Sequence, residues 1–358
     1  MRCHCNRRNN EETAHECNLL KGQGLLACAF AKFGLHTPGM LASRRFGSAQ
    51  NPTGKNIVNL CYRALVIAAV VIAALAWLAY FILMPSDASI TTDSESYYPG
   101  DVISIRLVSG KKLLSSEIYF CGRKSRFFEL EKKDNFWIYR GLASVPMDKK
   151  PGQATLEFST VFSIWQNNKY SRTVNILAKT FKKRFFGSSL VNKDYRKAIA
   201  IARALKEESM VIRQLLSEAT EIKLWKDRFI IPVNGRLTSP YGQIRLFGKN
   251  KPAARHKGVD IAAWRGTPVI APNNGKVRIT AKFKGTGNTV LLDHGQGVYS
   301  IYMHLRRIKV KRNDTVEKGT LLGTVGSTGQ STGSHLHWGV YVNGNAVDPF
   351  QWTEKNIY

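Results

Sequence analysis

Cysteine is scarce in this chain and unevenly placed. Of six, Cys3, Cys5, Cys17, Cys28 and Cys61 all precede Ala64, and only Cys121 lies beyond it. The part after residue 85 can therefore hold no internal disulfide, and the clustered thiols suit a reducing compartment. Acid is scarce as well, with 25 Asp and Glu against 53 Lys and Arg, a formal charge of +28. Such an excess points to an anionic partner: nucleic acid, a lipid surface, or a polymer outside the membrane. A third absence chooses among these. Residues 64–84, ALVIAAVVIAALAWLAYFILM, contain no charge and no strongly polar side chain. As a helix they would span about 31 Å, roughly one hydrocarbon core.

Lys55, Arg44, Arg45 and Arg63 precede this run, whereas PSDASITTDSESYYPGD after it has acids and no Lys or Arg. The positive-inside rule then keeps the N-terminus in the cytoplasm and exports everything after residue 85. Ser86 and Ala88 would suit a cleaved signal, but the run is long for one and begins only at Ala64. The reading is an uncleaved transmembrane helix at 64–84 in the cytoplasmic membrane, behind a cytoplasmic tail at 1–63 without fixed structure. Cys3, Cys5, His15 and Cys17 in that tail match no closed zinc site. Positions 1–84 hold nine Lys and Arg and three Asp and Glu, leaving 44 and 22 to the exported part, a balance of +22. Outside the membrane such a surface meets anionic lipid and wall polymers, so no nucleic-acid partner is expected.

The exported part is mainly β. DVISIRLV, SSEIYF, FWIYRGLA, ATLEFSTVF and YSRTVNILA, separated by turns, predict a β-sandwich-like domain over 88–180. It shows no polar constellation and is read as a spacer or docking module. Residues 188–227 have apolar positions at helical spacing and predict a linker of one or two helices whose stripe serves packing. From 231 to 352 strands and glycine turns return (PNNGK, KGTGN, DHGQG, VNGN), which predicts an antiparallel all-β domain.

Five of the eight histidines lie in that last domain: His256, His294, His304, His335 and His337. In GSHLHWGVYV a strand would place His335, His337, Gly339 and Tyr341 on one face and Leu336, Trp338, Val340 and Val342 on the other, a core face. In VYSIYMHL the same alternation puts His304 with Val298, Ser300 and Tyr302. His294, in DHGQG, is read as a turn residue. His256 and Asp260 stand four apart in RHKGVD, but Gly258 and β-branched neighbours argue for extended chain, so tertiary geometry must pair them. Two histidines and a carboxylate are a standard set for a zinc ion that keeps one position open for water.

At HKGVDIA, YMHL and GSTGQSTGSHLHWGV the chain resembles the lysostaphin/LytM-type zinc metalloendopeptidases, which act on the peptide bridges of bacterial peptidoglycan. The resemblance runs from about Pro232 to Trp352, and GTPVIAPNNGKV, GTGNTVLLDHGQGVYSIYMHL and VEKGTLLGTVGSTG extend it in order and spacing. It implies a LytM-like (duplicated hybrid motif) domain, one zinc held by His256, Asp260 and His337, and catalytic roles for His304 and His335, which are not ligands. The expectation is a membrane-anchored zinc metalloendopeptidase that cuts peptide cross-links or stem peptides of peptidoglycan. Its chemistry would reside in the last domain alone, so a chain beginning near Lys226 should retain it. The alternative is a non-catalytic LytM-like module that binds peptidoglycan or activates another hydrolase; the intact ligand set speaks against it. GTPVIAPNNGKV and EKGTLLGTVGST also resemble biotinyl and lipoyl carrier hairpins, but no lysine occupies a modification turn there. The sequence carries no signature of a protein activator.

Overall fold

The structure, a computed structural model, describes residues 52–83, 88–164, 166–186, 195–247 and 251–357. Most of the tail read at 1–63, and the first residues of the linker read at 188–227, lie outside the described residues. Helix α1 (Pro52–Leu83) starts on a proline, whose missing N–H costs nothing in a first turn. Among the described residues it is the one helix long and apolar enough to cross a membrane. Leu65, Ile72 and Trp77 on it are exposed, a surface that water disfavours.

Two sheets form the sandwich. One orders β1 (Ala88–Thr92), β3 (Val102–Ser109), β7 (Phe136–Ser144) and β6 (Phe128–Lys133). The other orders β2 (Ser96–Tyr97), β9 (Gln166–Ile176), β8 (Gly152–Ser163), β4 (Ser115–Phe120) and β5 (Arg123–Ser125). Alternate residues of β3, Ile103, Ile105 and Leu107, point inward against Leu156, Phe158, Val174 and Ile176.

Beyond it, β10 (Lys183–Phe186) pairs in parallel with β12 (Ile244–Phe247), which pairs with β13 (Lys251–Arg255). The remaining ten strands make one antiparallel sheet. Its path is β11 (Arg236–Ser239), β14 (Val259–Ala262), β21 (His335–Val342), β18 (Val298–Ile308), β17 (Asn288–Gly295), β16 (Gly275–Lys282) and β19 (Thr315–Val316). Off this path, β15 (Pro268–Ile270) pairs with β20 (Leu321–Val325), β20 with β18, and β22 (Asn345–Val347) with β21. A short helix, α3 (Gln351–Glu354), seats Trp352 in the core against Trp225 and Phe229. The molecule is thus mainly β with an apolar N-terminal helix.

Among its described residues the linker contains one long helix, α2 (Tyr195–Leu216), where the sequence allows one or two. Glu208, Ile212 and Leu216, four apart on one face, are buried, and Ile212 and Leu216 join the core of the ten-stranded sheet. After Leu216 the chain is irregular, yet it adds Trp225 and Phe229 to that core. The sandwich is docked directly on the same domain. Gln351 Oε1 accepts the Val102 N–H at 2.8 Å, its Nε2 donates to the Gly100 carbonyl at 2.9 Å, and Asn343 donates to Leu142 O at 2.7 Å.

Candidate metal centre and active site

Strands β14, β21 and β18 lie side by side. Asp260 sits opposite His337, Ala262 opposite His335, and Met303 opposite His337. Opposed residues of an antiparallel pair share a face. The register alone therefore puts Asp260, His335 and His337 on one side, while Trp338, Leu336, Val259 and Ile261 fill the core behind. His256 enters from the loop before β14. Its N–H donates to Gln243 O at 3.0 Å and its carbonyl accepts from Gly242 at 2.8 Å.

Three atoms converge. His256 Nε2 is 2.9 Å from His337 Nδ1 and 3.0 Å from Asp260 Oδ1, and His337 Nδ1 is 2.9 Å from Asp260 Oδ1. All three residues are buried. His256 Nδ1 faces the Pro240 carbonyl at 3.1 Å. A carbonyl can only accept, so Nδ1 carries the proton and Nε2 offers a lone pair inward. Asp260 Oδ2 is 3.6 Å from Arg245, and Thr238 Oγ1 donates to the Asp260 carbonyl at 3.0 Å. Burial pushes the Asp260 carboxyl up, but its hydrogen bonds to His256 and His337 outweigh this and hold it far below the usual carboxylate range. Burial lowers the His337 pKa. An ionised carboxylate and two imidazoles are the donor chemistry of a borderline divalent cation. Ligands at zinc distances around a tetrahedral ion stand roughly 3.3 Å apart; the three atoms reach that spacing by opening a few tenths of an ångström.

His304 also faces this centre, but not by the predicted route. Strict alternation would send it to the core side with Ser300 and Tyr302. Instead the β17–β18 register slips between Asn288 and Val290, with Leu305 and Tyr302 as their partners, so β18 carries an extra residue there. His304 has φ +63°, a left-handed conformation rare for a residue with a Cβ. The bulge re-aims its side chain. Its ring lies 4.8 Å from that of His335 and 6.5 Å from that of His337, centroid to centroid. His304 Nδ1–H donates to Thr328 O at 2.9 Å, and His335 Nδ1–H donates to Gly333 O at 2.9 Å. Each therefore keeps its Nε2 lone pair free, and His335 Nε2 lies 3.9 Å from Asp260 Oδ1. Burial, with the His335 and His337 rings nearby, lowers the His304 pKa to about 4.

His294 is not a turn residue. It lies in β17, fully buried, with Nδ1–H donating to Asn274 O at 2.6 Å and Nε2 accepting from Ser300 Oγ at 2.7 Å. Its role is structural, and burial lowers its pKa to about 4. The unfolded chain protonates near 6.5, so between about pH 6.5 and 4 it binds more protons than the folded one, and stability falls as pH falls. The His294 share of that loss is about 3 kcal/mol below pH 4. Urea midpoints taken from pH 8 to pH 4 should drop less steeply for His294→Gln than for the parent. Equal slopes would remove His294 from this account.

Gly258 shows how closely the chain beside His337 is packed. A Cβ there would lie 2.4 Å from Trp338 O, 2.9 Å from Gly339 Cα and 2.9 Å from His337 Cε1. Two of these are backbone atoms and the third belongs to the His337 ring. Gly258→Ala is expected to displace His337 and weaken metal binding about tenfold to a hundredfold without altering any donor. Competition against a chromophoric zinc chelator would measure it, and unchanged affinity would show that the strand yields elsewhere.

A carboxylate and two imidazoles that could hold a metal ion, with two further imidazoles presenting lone pairs beside them, have the donor chemistry that metal-dependent hydrolysis requires. Residues 254–349 match the pattern described as Peptidase family M23. The chain is 36% identical over 121 residues to the peptidoglycan DD-endopeptidase ShyA of Vibrio cholerae, a stretch covering 34% of this chain and 28% of that protein. It is similar to a Pseudomonas aeruginosa crystal structure described as a candidate M23 peptidase, at 28% identity, 72% coverage of this chain, 94% of that one and a TM-score of 0.51. It is 34% identical to the catalytic domain of lysostaphin from Staphylococcus simulans, covering 34% of this chain and 94% of that domain, with a TM-score of 0.31. Residues 254–349 thus carry a domain of peptidase family M23. The chain spans about a quarter of the length of the curated relatives it matches.

Proposed function

We propose that the protein is a zinc endopeptidase that hydrolyses peptide cross-links or stem peptides of peptidoglycan, held at the outer side of the cytoplasmic membrane by α1. The observation that carries this reading is the triangle of His256 Nε2, Asp260 Oδ1 and His337 Nδ1 with two free Nε2 lone pairs beside it. When bound there, a zinc ion would polarise the scissile carbonyl and lower the pKa of water to about 7.

The protein's own groups do the rest. His304 and His335, both fixed by Nδ1–H bonds to backbone carbonyls, accept hydrogen bonds from the attacking water through Nε2. The imidazole that takes the water's proton then carries a donor, which can stabilise the developing oxyanion or protonate the leaving amine. A pKa near 4 keeps His304 neutral, and so able to accept, at neutral pH. The relative named as a peptidoglycan DD-endopeptidase supports the substrate class. The +22 balance after residue 84 favours an anionic wall, and the charge asymmetry around α1 supports export of the C-terminal side. The division into a tail at 1–63, an anchor at 64–84, a sandwich at 88–180, a linker at 188–227 and a peptidase domain at 231–352 is part of this proposal.

The test is mass spectrometry of fragments released from purified peptidoglycan by the zinc-loaded protein, with a chelated sample as control. Release of peptide-cleaved muropeptides by the zinc-loaded sample alone is expected. A zinc-loaded protein that binds peptidoglycan and releases nothing would favour the non-catalytic module.

A further inference from the structure

Glu208 is an acid on the apolar side of α2, in line with Ile212 and Leu216, and only 6% exposed. Burying a carboxylate costs several kcal/mol unless donors replace its water. Among the described residues, all its hydrogen-bond donors come from one loop. Oε1 accepts the Gly285 N–H at 2.7 Å; Oε2 accepts the Thr286 N–H at 2.9 Å and the Thr286 hydroxyl at 3.1 Å. Two successive backbone N–H groups turned to one carboxylate form a small anion nest. The fit is close: a Cβ on Gly285 would lie 2.4 Å from Leu205 Cδ2 and 2.9 Å from Glu208 Oε2.

The same loop holds His304. Thr286, whose N–H Glu208 receives, offers its carbonyl to the His304 N–H at 3.1 Å. Gly285 offers its carbonyl to the Gln330 N–H at 2.7 Å, which ties the loop to the segment whose Thr328 carbonyl takes the His304 ring proton. Gly287, at φ +73°, approaches Thr328 so closely that a Cβ would lie 2.4 Å from its carbonyl oxygen. His304 itself sits in a left-handed conformation that is strained for a residue with a Cβ and persists only where the surroundings over-determine it. The groups that fix its backbone and its ring are thus one loop away from a carboxylate on the linker helix.

We propose that Glu208 is a positioning residue for His304: through the 285–287 loop it fixes the bulge that aims the His304 imidazole at the metal centre, so that α2 completes the active site. The catalytic consequence rests on the proposed function. Glu208→Gln is nearly isosteric, but its amide nitrogen cannot accept the N–H it would face, so one of the two backbone donors is orphaned.

The test uses the full chain, zinc-loaded, with Glu208→Gln, His304→Ala and the double variant. Glu208→Gln should lower kcat by about tenfold to a hundredfold, the cost of a mispositioned group, with zinc content and KM within about twofold of the parent. In the His304→Ala background the same change should alter the residual rate less than about twofold, because the group it positions is gone. An unchanged kcat, or an equal cost in both backgrounds, overturns the proposal. Hydrogen–deuterium exchange on the metal-free chain gives a second readout. Glu208→Gln should speed exchange in peptides spanning 283–288 and 301–306 and leave those spanning 259–262 and 335–342 as they were. If the parent itself cleaves nothing, the proposed function falls. Exchange then decides alone, and unaltered exchange at 301–306 overturns the role of Glu208.

Discussion

His337→Ala and Asp260→Ala are expected to lose the metal and hydrolysis together, whereas His304→Ala and His335→Ala should keep near-stoichiometric zinc and lose hydrolysis by about a hundredfold or more. The division follows from atoms rather than residue type. His337 Nδ1 and Asp260 Oδ1 are two corners of a triangle with sides of 2.9 to 3.0 Å. Removing either leaves two donors, too few for a structural or catalytic zinc. His335 Nε2, at 3.9 Å from Asp260 Oδ1, stands outside the triangle, and the His304 ring lies nearer to His335 than to His337. The proposed ligand set therefore leaves both out, each with a lone pair beside the triangle. Plasma mass spectrometry for metal and muropeptide release for turnover would be read on the same folded samples. Loss of metal on His335→Ala with retention on His337→Ala would invert the assignment of the two strand histidines.

Much of this arrangement is legible in the sequence because β-strands have a period of two. The alternation in HLHWGVYV places His335 and His337 on one face and a core set on the other, and the register with Asp260 matches that pattern. What escapes is carried by backbone rather than by alternation. His304 falls on the wrong face by counting, since nothing in YMHL announces that a histidine takes a left-handed conformation and absorbs an extra residue. His294 looks like a turn residue because Gly295, Gln296 and Gly297 follow it. Its ring instead goes inward to Asn274 and Ser300. Pro240 and Arg245, which support His256 and Asp260, belong to a segment with no chemical signature of its own. Glu208 passes as one charge among many on an amphipathic helix. Its available signal is position: an acid in phase with Ile212 and Leu216 is on the buried side and must find donors there. The apolar helix and the sandwich strands are read directly, because long apolar runs and turn-bounded alternation are local properties. The docking of the sandwich is not, because it depends on single hydrogen bonds such as that from the Val102 N–H to Gln351.

That docking changes what truncation should do. Beginning the chain at Lys226 keeps His256, His304, His335, His337 and Asp260, and sequence alone suggests that it keeps the chemistry. It removes Ile212 and Leu216 from the core of the ten-stranded sheet, each a side chain whose burial contributes about 1.5–3 kcal/mol. It also removes the carbonyls that receive Tyr299 Oη at 2.5 Å and the Gln296 N–H at 2.8 Å, as well as the carboxylate under the 285–287 loop. A chain beginning at Tyr195 keeps all of these and lacks only the sandwich and what precedes and follows it up to α2. The shorter chain is expected to bind zinc, melt several degrees lower than the longer one, and cleave soluble muropeptides at least about tenfold more slowly. The longer chain should turn over faster than the shorter one without reaching the full protein on the same soluble substrates, because it still lacks β10, whose partner β12 carries Arg245 beside Asp260, and the Met147 carbonyl that takes Arg255 next to His256. Thermal melts and single-substrate kinetics on the two chains would decide it. Equal turnover would mean that the strands from Arg236 onward hold the His304 bulge unaided, and the linker helix would then be packing alone.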